Sequence, residues 1–283
     1  MSFNSVNTNM GAIIALQSLN RTNADLAATQ KRISTGSRVA DANDDGAAYA
    51  VAQAVRSSVG ALGAANQQLG NVQGLLSTTM TGLNDISNTM ASMRTVLVKL
   101  ADSNVAGTQR NQYIAQYQSL LTNVKSFIQD ASYNGKTLIG NIAGHSGTYA
   151  RVATVRNETG ATYGIASFSG ATVAASIGFS TIQLGGAATV AAFLTANGTF
   201  LNVQNNVGTA LNTIGSAANY VSNQISYNND KIDALNTGLG ALVDADLAKE
   251  SAQLQALQIR QQLGTQALTL ANQSPQTLLS LFK

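Results

Sequence analysis

LGAANQQLGNVQGLLSTTMTGLNDISNTMASMRTVLVKL, residues 62–100, is the stretch that decides the fold. Leu62, Leu69, Leu76, Leu83, Met90 and Leu97 recur at a strict step of seven, and Ala65, Val72, Thr79, Ile86, Met93 and Leu100 follow three residues after each. Eleven of these twelve positions are apolar, Thr79 being the exception. Apolar residues alternating three and four apart keep to one side of an α-helix. The spacing predicts one long helix packed along its length against others, a segment of roughly 60 Å at 1.5 Å per residue.

Working outward, Asp102, Ser103, Asn104 and Gly107 break the pattern, and Tyr113, Tyr117, Leu120, Val124, Phe127 and Ile128 resume it as a second helix folding back on the first. Downstream the seven-step returns with Leu211, Ala218, Ile225, Ile232 and Leu239, followed three residues on by Ile214, Val221, Asn228, Leu235 and Leu242. Asn228 on such a seam fixes register at a cost in stability. Between these seams the character changes. Tyr133-Asn134-Gly135-Lys136 reads as a hairpin turn, and Val152–Val155 turns through Asn157-Glu158-Thr159-Gly160 into Thr162–Ile165. The expected fold is therefore mainly α: long antiparallel helices forming a coiled-coil rod from paired N- and C-terminal segments, with a small β-rich insertion in the middle, presented at the far end of the rod.

The extreme ends carry stripes of their own: Ile13, Leu16, Leu19, Leu26 and Ile33 in residues 3–34, and Leu247, Leu254, Leu257, Leu263, Leu268 and Leu270 in residues 244–274. Neither can bury its stripe alone. An isolated helix of this kind is marginal in water, so these ends are expected to fold on contact with other copies of the chain.

Composition narrows the function. Among 283 residues there is no Cys and no Trp, and 16 Lys+Arg with 13 Asp+Glu make only 10% charged. The single imidazole is His145 and the single proline Pro275. Disulfide frameworks, thiolate metal sites and any site needing two imidazoles are excluded. The net charge of +3 is scattered rather than clustered, which argues against a nucleic-acid partner. No apolar run approaches the roughly 20 residues that span a bilayer, so no membrane partner is expected, and the first residues do not read as a secretory signal.

Several motifs mimic chemistry without completing it. Asp41-Ala42-Asn43-Asp44-Asp45-Gly46 opens like an EF-hand loop, but its twelfth place is Ala52 where a carboxylate is required. A turn capping the next helix is the expectation. Gly135-Lys136-Thr137 ends like a phosphate loop, yet Asp130 stands where a glycine is needed. His145 reads as a surface residue, and Ser274-Pro275 as the cap and first residue of a short restarted helix. Glu158, Arg151 and Arg156 supply no acid–base pair, so neither catalysis nor a cofactor or metal site is expected.

Val6 to Ala52, with Asn7-Thr8-Asn9, Ile33-Ser34-Thr35-Gly36-Ser37-Arg38 and Asp44-Asp45, resembles the start of bacterial flagellin, and Asp244 to Lys283 resembles that family's other end. The likeness is to compact, alphaproteobacterial members with a reduced outer domain. It implies a structural subunit of the flagellar filament, secreted to the cell exterior, with a helical homo-oligomer as its working form. Export unfolded through the flagellar type III apparatus, an export chaperone, a filament cap and hook-junction proteins follow as implied partners. The implied domains are a terminal coiled-coil inner core (1–45 and 240–283), a helical outer tube (46–140 and 200–239) and a β-rich surface insertion (141–199).

Subunit packing is expected to fall on Leu16, Leu19, Leu26 and Ile33 against Leu254, Leu257, Leu263 and Leu268, with Leu278, Leu279, Leu281 and Phe282 at the tail. In members sensed by the animal flagellin receptor the first outer-tube helix carries Arg-x-Arg-Glu-Leu. Here the matching positions read Ser92-Met93-Arg94-Thr95-Val96, so only Arg94 is kept while Ser92 and Thr95 replace the charged pair. Weak receptor sensing is the expectation. A hook–filament junction protein shares the paired-end plan and is the alternative; the ending Asn272-Gln273-Ser274-Pro275-Gln276 followed by Leu278–Phe282 favours flagellin.

Overall fold

The computed structural model describes residues 8–280, with side chains through Gln273. In chain order its elements are α1 (Met10–Thr35), α2 (Gly46–Leu100), α3 (Gly107–Asp130), β1 (Lys136–Thr137), β2 (Thr148–Tyr149), β3 (Val152–Val155), β4 (Thr162–Ile165), α4 (Gly170–Ser176), α5 (Thr181–Gly185), α6 (Ala187–Phe193), α7 (Thr199–Val243) and α8 (Leu247–Ser280). Long helices dominate, and the strands form two small two-stranded sheets, β1 with β2 in parallel and β3 with β4 antiparallel. The chain divides into two compact units. One is made from its two ends, through Ser58 and from Asp233; the other is Val59–Ile232.

In the second unit all twelve seam positions of residues 62–100 are buried, Thr79 among them. The Thr79 hydroxyl donates to Leu75 O at 2.8 Å within its own helix, so its polar atom is satisfied and its methyl fills an apolar place. α3 returns along α2: Lys99 sits over the Tyr113 ring near the turn, and Gly82 faces Ala131 and Phe127 O at the other end. On α7 the buried set in this unit is Phe200, Val203, Val207, Ala210, Ile214, Ala217, Val221 and Asn228. Leu211, Ala218 and Ile225 lie on its flank, only partly buried. Ile214, Val221 and Asn228 are thus buried where the spacing places them, while the other series shifts by one residue, Ala210 and Ala217 being buried in place of Leu211 and Ala218.

Asn228 is buried and fully engaged. Its Nδ2 donates to Asn66 Oδ1 (2.8 Å) and to Arg156 O (3.0 Å), and its Oδ1 accepts from Gln224 Nε2 (3.0 Å). One side chain therefore sets α7 against α2 and holds the end of the β3–β4 hairpin, whose turn also places Glu158 on Lys231. That ammonium keeps the Glu158 carboxyl below the usual carboxylate range. Tyr163 of β4 stacks on Tyr220 of α7 with ring centroids 4.0 Å apart.

The strands of the insertion are confined to its first half. From Gly170 onward the chain forms α4, α5 and α6 instead, started by Ser169 and by a Ser180–Gln183 capping box. Val152, Ile165, Val173, Ile177, Leu184 and Val190 join the same core as the long helices. Tyr117 of α3 donates to Ile177 O at 2.7 Å, and burial pushes its hydroxyl well above the ordinary tyrosine range.

The turn at residues 133–136 forms as expected, with Asn134 and Gly135 both at positive φ (47° and 72°) and Tyr133 paired to Lys136. His145 is half-buried, its Nδ1 2.7 Å from Ile142 O, a local structural role. The expectation for the tail is corrected. No helix restarts at Ser274 and Pro275, because α8 runs without interruption to Ser280. A proline inside a helix removes one donor and leaves one carbonyl to be satisfied elsewhere, while the neighbouring bonds carry the helix on.

Candidate functional site: the paired terminal helices

The unit formed by the two ends consists of α1 lying along α8, joined by loops that cross each other. α1 begins on Asn9, whose Oδ1 accepts from Ala12 N at 3.1 Å, and ends on Gly36 at φ 69°, the left-handed cap that only glycine takes without strain. Past that cap the chain pairs with the loop between α7 and α8: Ser37 bridges Asp244, Ala245 N donates to Gly36 O, and Arg38 N donates to Val243 O at 2.7 Å. The Arg38 guanidinium donates to Leu242 O at 2.6 Å, a cation closing the carboxyl end of α7. Val39, Ala48, Ala52 and Val243 make a small core beneath this crossing.

The acidic loop is organised from within. Lys31 of α1 places its ammonium 2.7 Å from Asp41 and 3.0 Å from Asp44, and Asp45 Oδ1 accepts from Ala48 N to cap α2. The two carboxylates raise the Lys31 pKa and the shared ammonium lowers those of both carboxyls, chiefly through the hydrogen bonds themselves. A lysine nitrogen thus sits where an EF-hand would seat its cation, and the turn serves to cap a helix.

Along the helices themselves burial is thin. Leu257 is buried, and Leu19, Leu26, Ile33, Leu254 and Leu268 are half-buried. Gly264 lets α8 close on α1, for a Cβ there would lie 3.2 Å from Leu19 Cδ1. Arg32 reaches the buried Glu250 at 3.4 Å, and Gln261 donates to Asn23 at 2.8 Å. Leu16 and Leu263 are not on this seam: they remain 48% and 58% exposed. Met10, Ile13 and Ile14 join Leu16 as an open apolar strip on α1, and Ile259 and Leu270 join Leu263 on α8. Met10, Ile14 and Ile259 escaped the sequence reading, which counted only residues on one stripe per helix. Leu278 and Leu279 lie on the last turns of α8; their side chains, and Leu281 and Phe282 altogether, are outside the described residues.

In the other unit, Ser92, Arg94 and Thr95 are exposed on α2. Ser92 and Thr95 donate their hydroxyls to Asn88 O and Ala91 O of their own helix, at 3.3 and 3.2 Å, which leaves Arg94 as the charged group of that face. No helix of the described residues is long and apolar enough to cross a membrane.

Comparison with known proteins agrees with this plan at both ends. Residues 6–143 match the model of the bacterial flagellin N-terminal helical region, and residues 202–282 that of the bacterial flagellin C-terminal helical region. Flagellin FljM of Caulobacter vibrioides is 32% identical, the alignment covering 100% of both chains, and a flagellin of Brucella melitensis is 34% identical over 99% of each. Among solved structures, a chain described as a flagellar hook-associated protein from Vibrio parahaemolyticus superposes with a TM-score of 0.59 at 17% identity, covering 71% of this chain and 100% of that one. At that identity the likeness speaks for the fold alone.

Proposed function

This chain belongs to the bacterial flagellin family, a subunit of the extracellular flagellar filament, and from that premise we propose how its residues carry assembly. Leu19, Leu26, Ile33, Leu254, Leu257 and Leu268 hold α1 to α8 within one subunit, while Leu16 and Leu263 face neighbouring copies. Leu278, Leu279, Leu281 and Phe282 complete the tail contacts. The observation that carries this division is the exposure that survives pairing: Ile13, Ile14, Leu16, Ile259, Leu263 and Leu270 remain open, and each costs apolar surface in water until another copy covers it.

The division also gives the terminal and outer parts different work. Residues 1–45 and 240–283 act as the inner core, which gains its burial from neighbours; 46–140 and 200–239 act as the outer tube, already stable through its own seam; 141–199 is the outer surface. Export unfolded through the flagellar apparatus, with a chaperone, a cap and hook-junction partners, fits a chain with no Cys and one Pro, which has few slow or covalent obstacles to threading. Leu263→Asp tests the contact assignment. The monomer should melt as the parent does, since the site is exposed, and the concentration needed for filament growth should rise at least tenfold. Filaments growing at the parent's concentration would remove Leu263 from the interface.

The receptor-facing residues follow the same logic. With Ser92 and Thr95 bonded to their own helix, Arg94 alone offers a charge-assisted contact, and a receptor that relies on an Arg–Glu pair loses most of its purchase. Purified monomer is expected to give a response at least tenfold weaker in a receptor reporter assay than a flagellin carrying Arg-x-Arg-Glu-Leu. A full response would overturn the reading.

A further inference from the structure

Pro275 lies within α8, where its nitrogen carries no hydrogen for the carbonyl four residues earlier, Ala271 O. A helix normally meets such a loss by kinking or by water. Here the oxygen has a protein donor from the far end of the chain: Asn9 Nδ2 donates to Ala271 O at 2.6 Å, across 262 residues of sequence. The same carboxamide caps α1 through its oxygen, which accepts from Ala12 N at 3.1 Å. We propose that Asn9 is a positioning residue that stands in for the amide hydrogen Pro275 lacks, and so sets the register of α1 on α8 before neighbouring subunits pack on them.

The chemistry explains the residue type. The position needs an acceptor for an unpaired N–H at the start of α1 and a donor for an unpaired C=O in α8, both in one short planar group. Asp supplies the acceptor alone. Ser caps well but has a single oxygen to serve both directions. Gly11, in the first turn of α1, lies beside the bond: a Cβ there would make ordinary contact, 3.4 Å from Asn9 Oδ1 and 4.0 Å from Ala271 Cβ. Most of the apolar α1–α8 seam is half-buried leucines, which tolerate sliding; beside Arg32–Glu250 and Gln261–Asn23 further along, the bond to one defective carbonyl fixes the register at the Asn9 end against those a helical turn of about 5.4 Å away. Register matters to assembly since it decides how the open strip of Met10, Ile13 and Ile14 is offset from Leu263 and Leu270.

The inference rests on polymerisation being the chain's work, and the test separates the two. Critical concentrations for filament growth are measured on full-length parent, Asn9→Asp, Pro275→Ala and the double variant. Asp keeps the cap but turns an acceptor toward Ala271 O, so Asn9→Asp should raise the critical concentration at least tenfold. Pro275→Ala returns an N–H to that carbonyl, and in its background Asn9→Asp should cost less than about twofold. An equal penalty in both backgrounds would overturn the proposal. Register is also read without assembly: in this cysteine-free chain, Gly11→Cys with Ala271→Cys should cross-link within one molecule, since Cβ atoms about 4 Å apart suit a disulfide. Asn9→Asp should lower that yield severalfold and Pro275→Ala restore it; a yield indifferent to Asn9 would equally overturn the proposal.

Discussion

Chains ending at Val243 are expected to stay monomeric at concentrations where the full chain forms filaments. The deletion removes α8 and with it Leu254, Leu257 and Leu268, the partners of Leu19, Leu26 and Ile33. It also removes Ala245, whose amide donates to Gly36 O, and Glu250, which pairs with Arg32. What remains of the terminal unit is the small core of Val39, Ala48, Ala52 and Val243 and, beyond it, α1, 26 residues long with only a half-buried stripe to offer; a helix of that kind without its partner is marginal in water. Neighbouring copies, truncated alike, have no α8 to lend. The other unit should be untouched, since its core from Leu69 to Val221 contains no residue of the deleted segment. Sedimentation and electron microscopy are the readouts, with a melting curve to show that the Val59–Ile232 unit still folds cooperatively. Filaments formed by the truncated chain would mean that assembly runs through α2, α3 and α7, and the contact assignment to the ends would fall.

The long seams were legible because a buried face on a long helix must repeat at the helical period, and nothing else in a sequence imitates that over 39 residues. Even the polar exception, Thr79, fell in place, its hydroxyl satisfied by Leu75 O. On α7 Ile214, Val221 and Asn228 are buried as the spacing requires, but Leu211 and Ala218 give way to Ala210 and Ala217, which bury their faces without adding to a count of leucines. The short helices α4 to α6 were missed for the opposite reason: five to seven residues are too few for a period to show. Ser169 and the Ser180–Gln183 spacing were their local signals.

The pairing of the ends was legible as a need for partners, whereas its fastenings were not. Arg38 on Leu242 O, Lys31 between Asp41 and Asp44, and Asn9 on Ala271 O each join positions whose chemistry is complementary only once the chain has crossed itself. Ser274-Pro275 misled for a related reason. The same dipeptide opens a helix when its upstream neighbours are extended and sits inside one when a distant donor takes up the orphaned carbonyl, and no nearby residue tells the two apart.

Gly170→Ala is expected to destabilise the Val59–Ile232 unit by about 3 kcal/mol, the upper end of the ordinary cost of overpacking a filled core. Gly170 is buried at the start of α4, and its amide donates to Ile139 O at 3.1 Å. A Cβ on it would press into Ile139 O and Ile128 Cγ2 and lie 2.9 Å from Gly140 O. Two of those three atoms are backbone carbonyl oxygens, which cannot rotate away as a side chain would. Residues 138–140 are themselves pinned, by Phe168 N donating to Leu138 O and by Thr137 Oγ1 accepting from the amides of Ile139 and Gly140. Relief must therefore come from shifting α4 off α3, which opens the contacts of Val173 and Ile177 in the core. For a unit of this size the midpoint of thermal unfolding should fall by roughly 10 °C. Gly208→Ala, on the open face of α7 with nothing within 4 Å of the new methyl, is the counterpart: it removes backbone freedom from the unfolded chain and should raise stability by about 0.5–1 kcal/mol. If Gly170→Ala melts within a degree or two of the parent while Gly208→Ala rises as stated, the 138–140 backbone yields where its hydrogen bonds say it is held, and close approach is not what requires glycine at position 170.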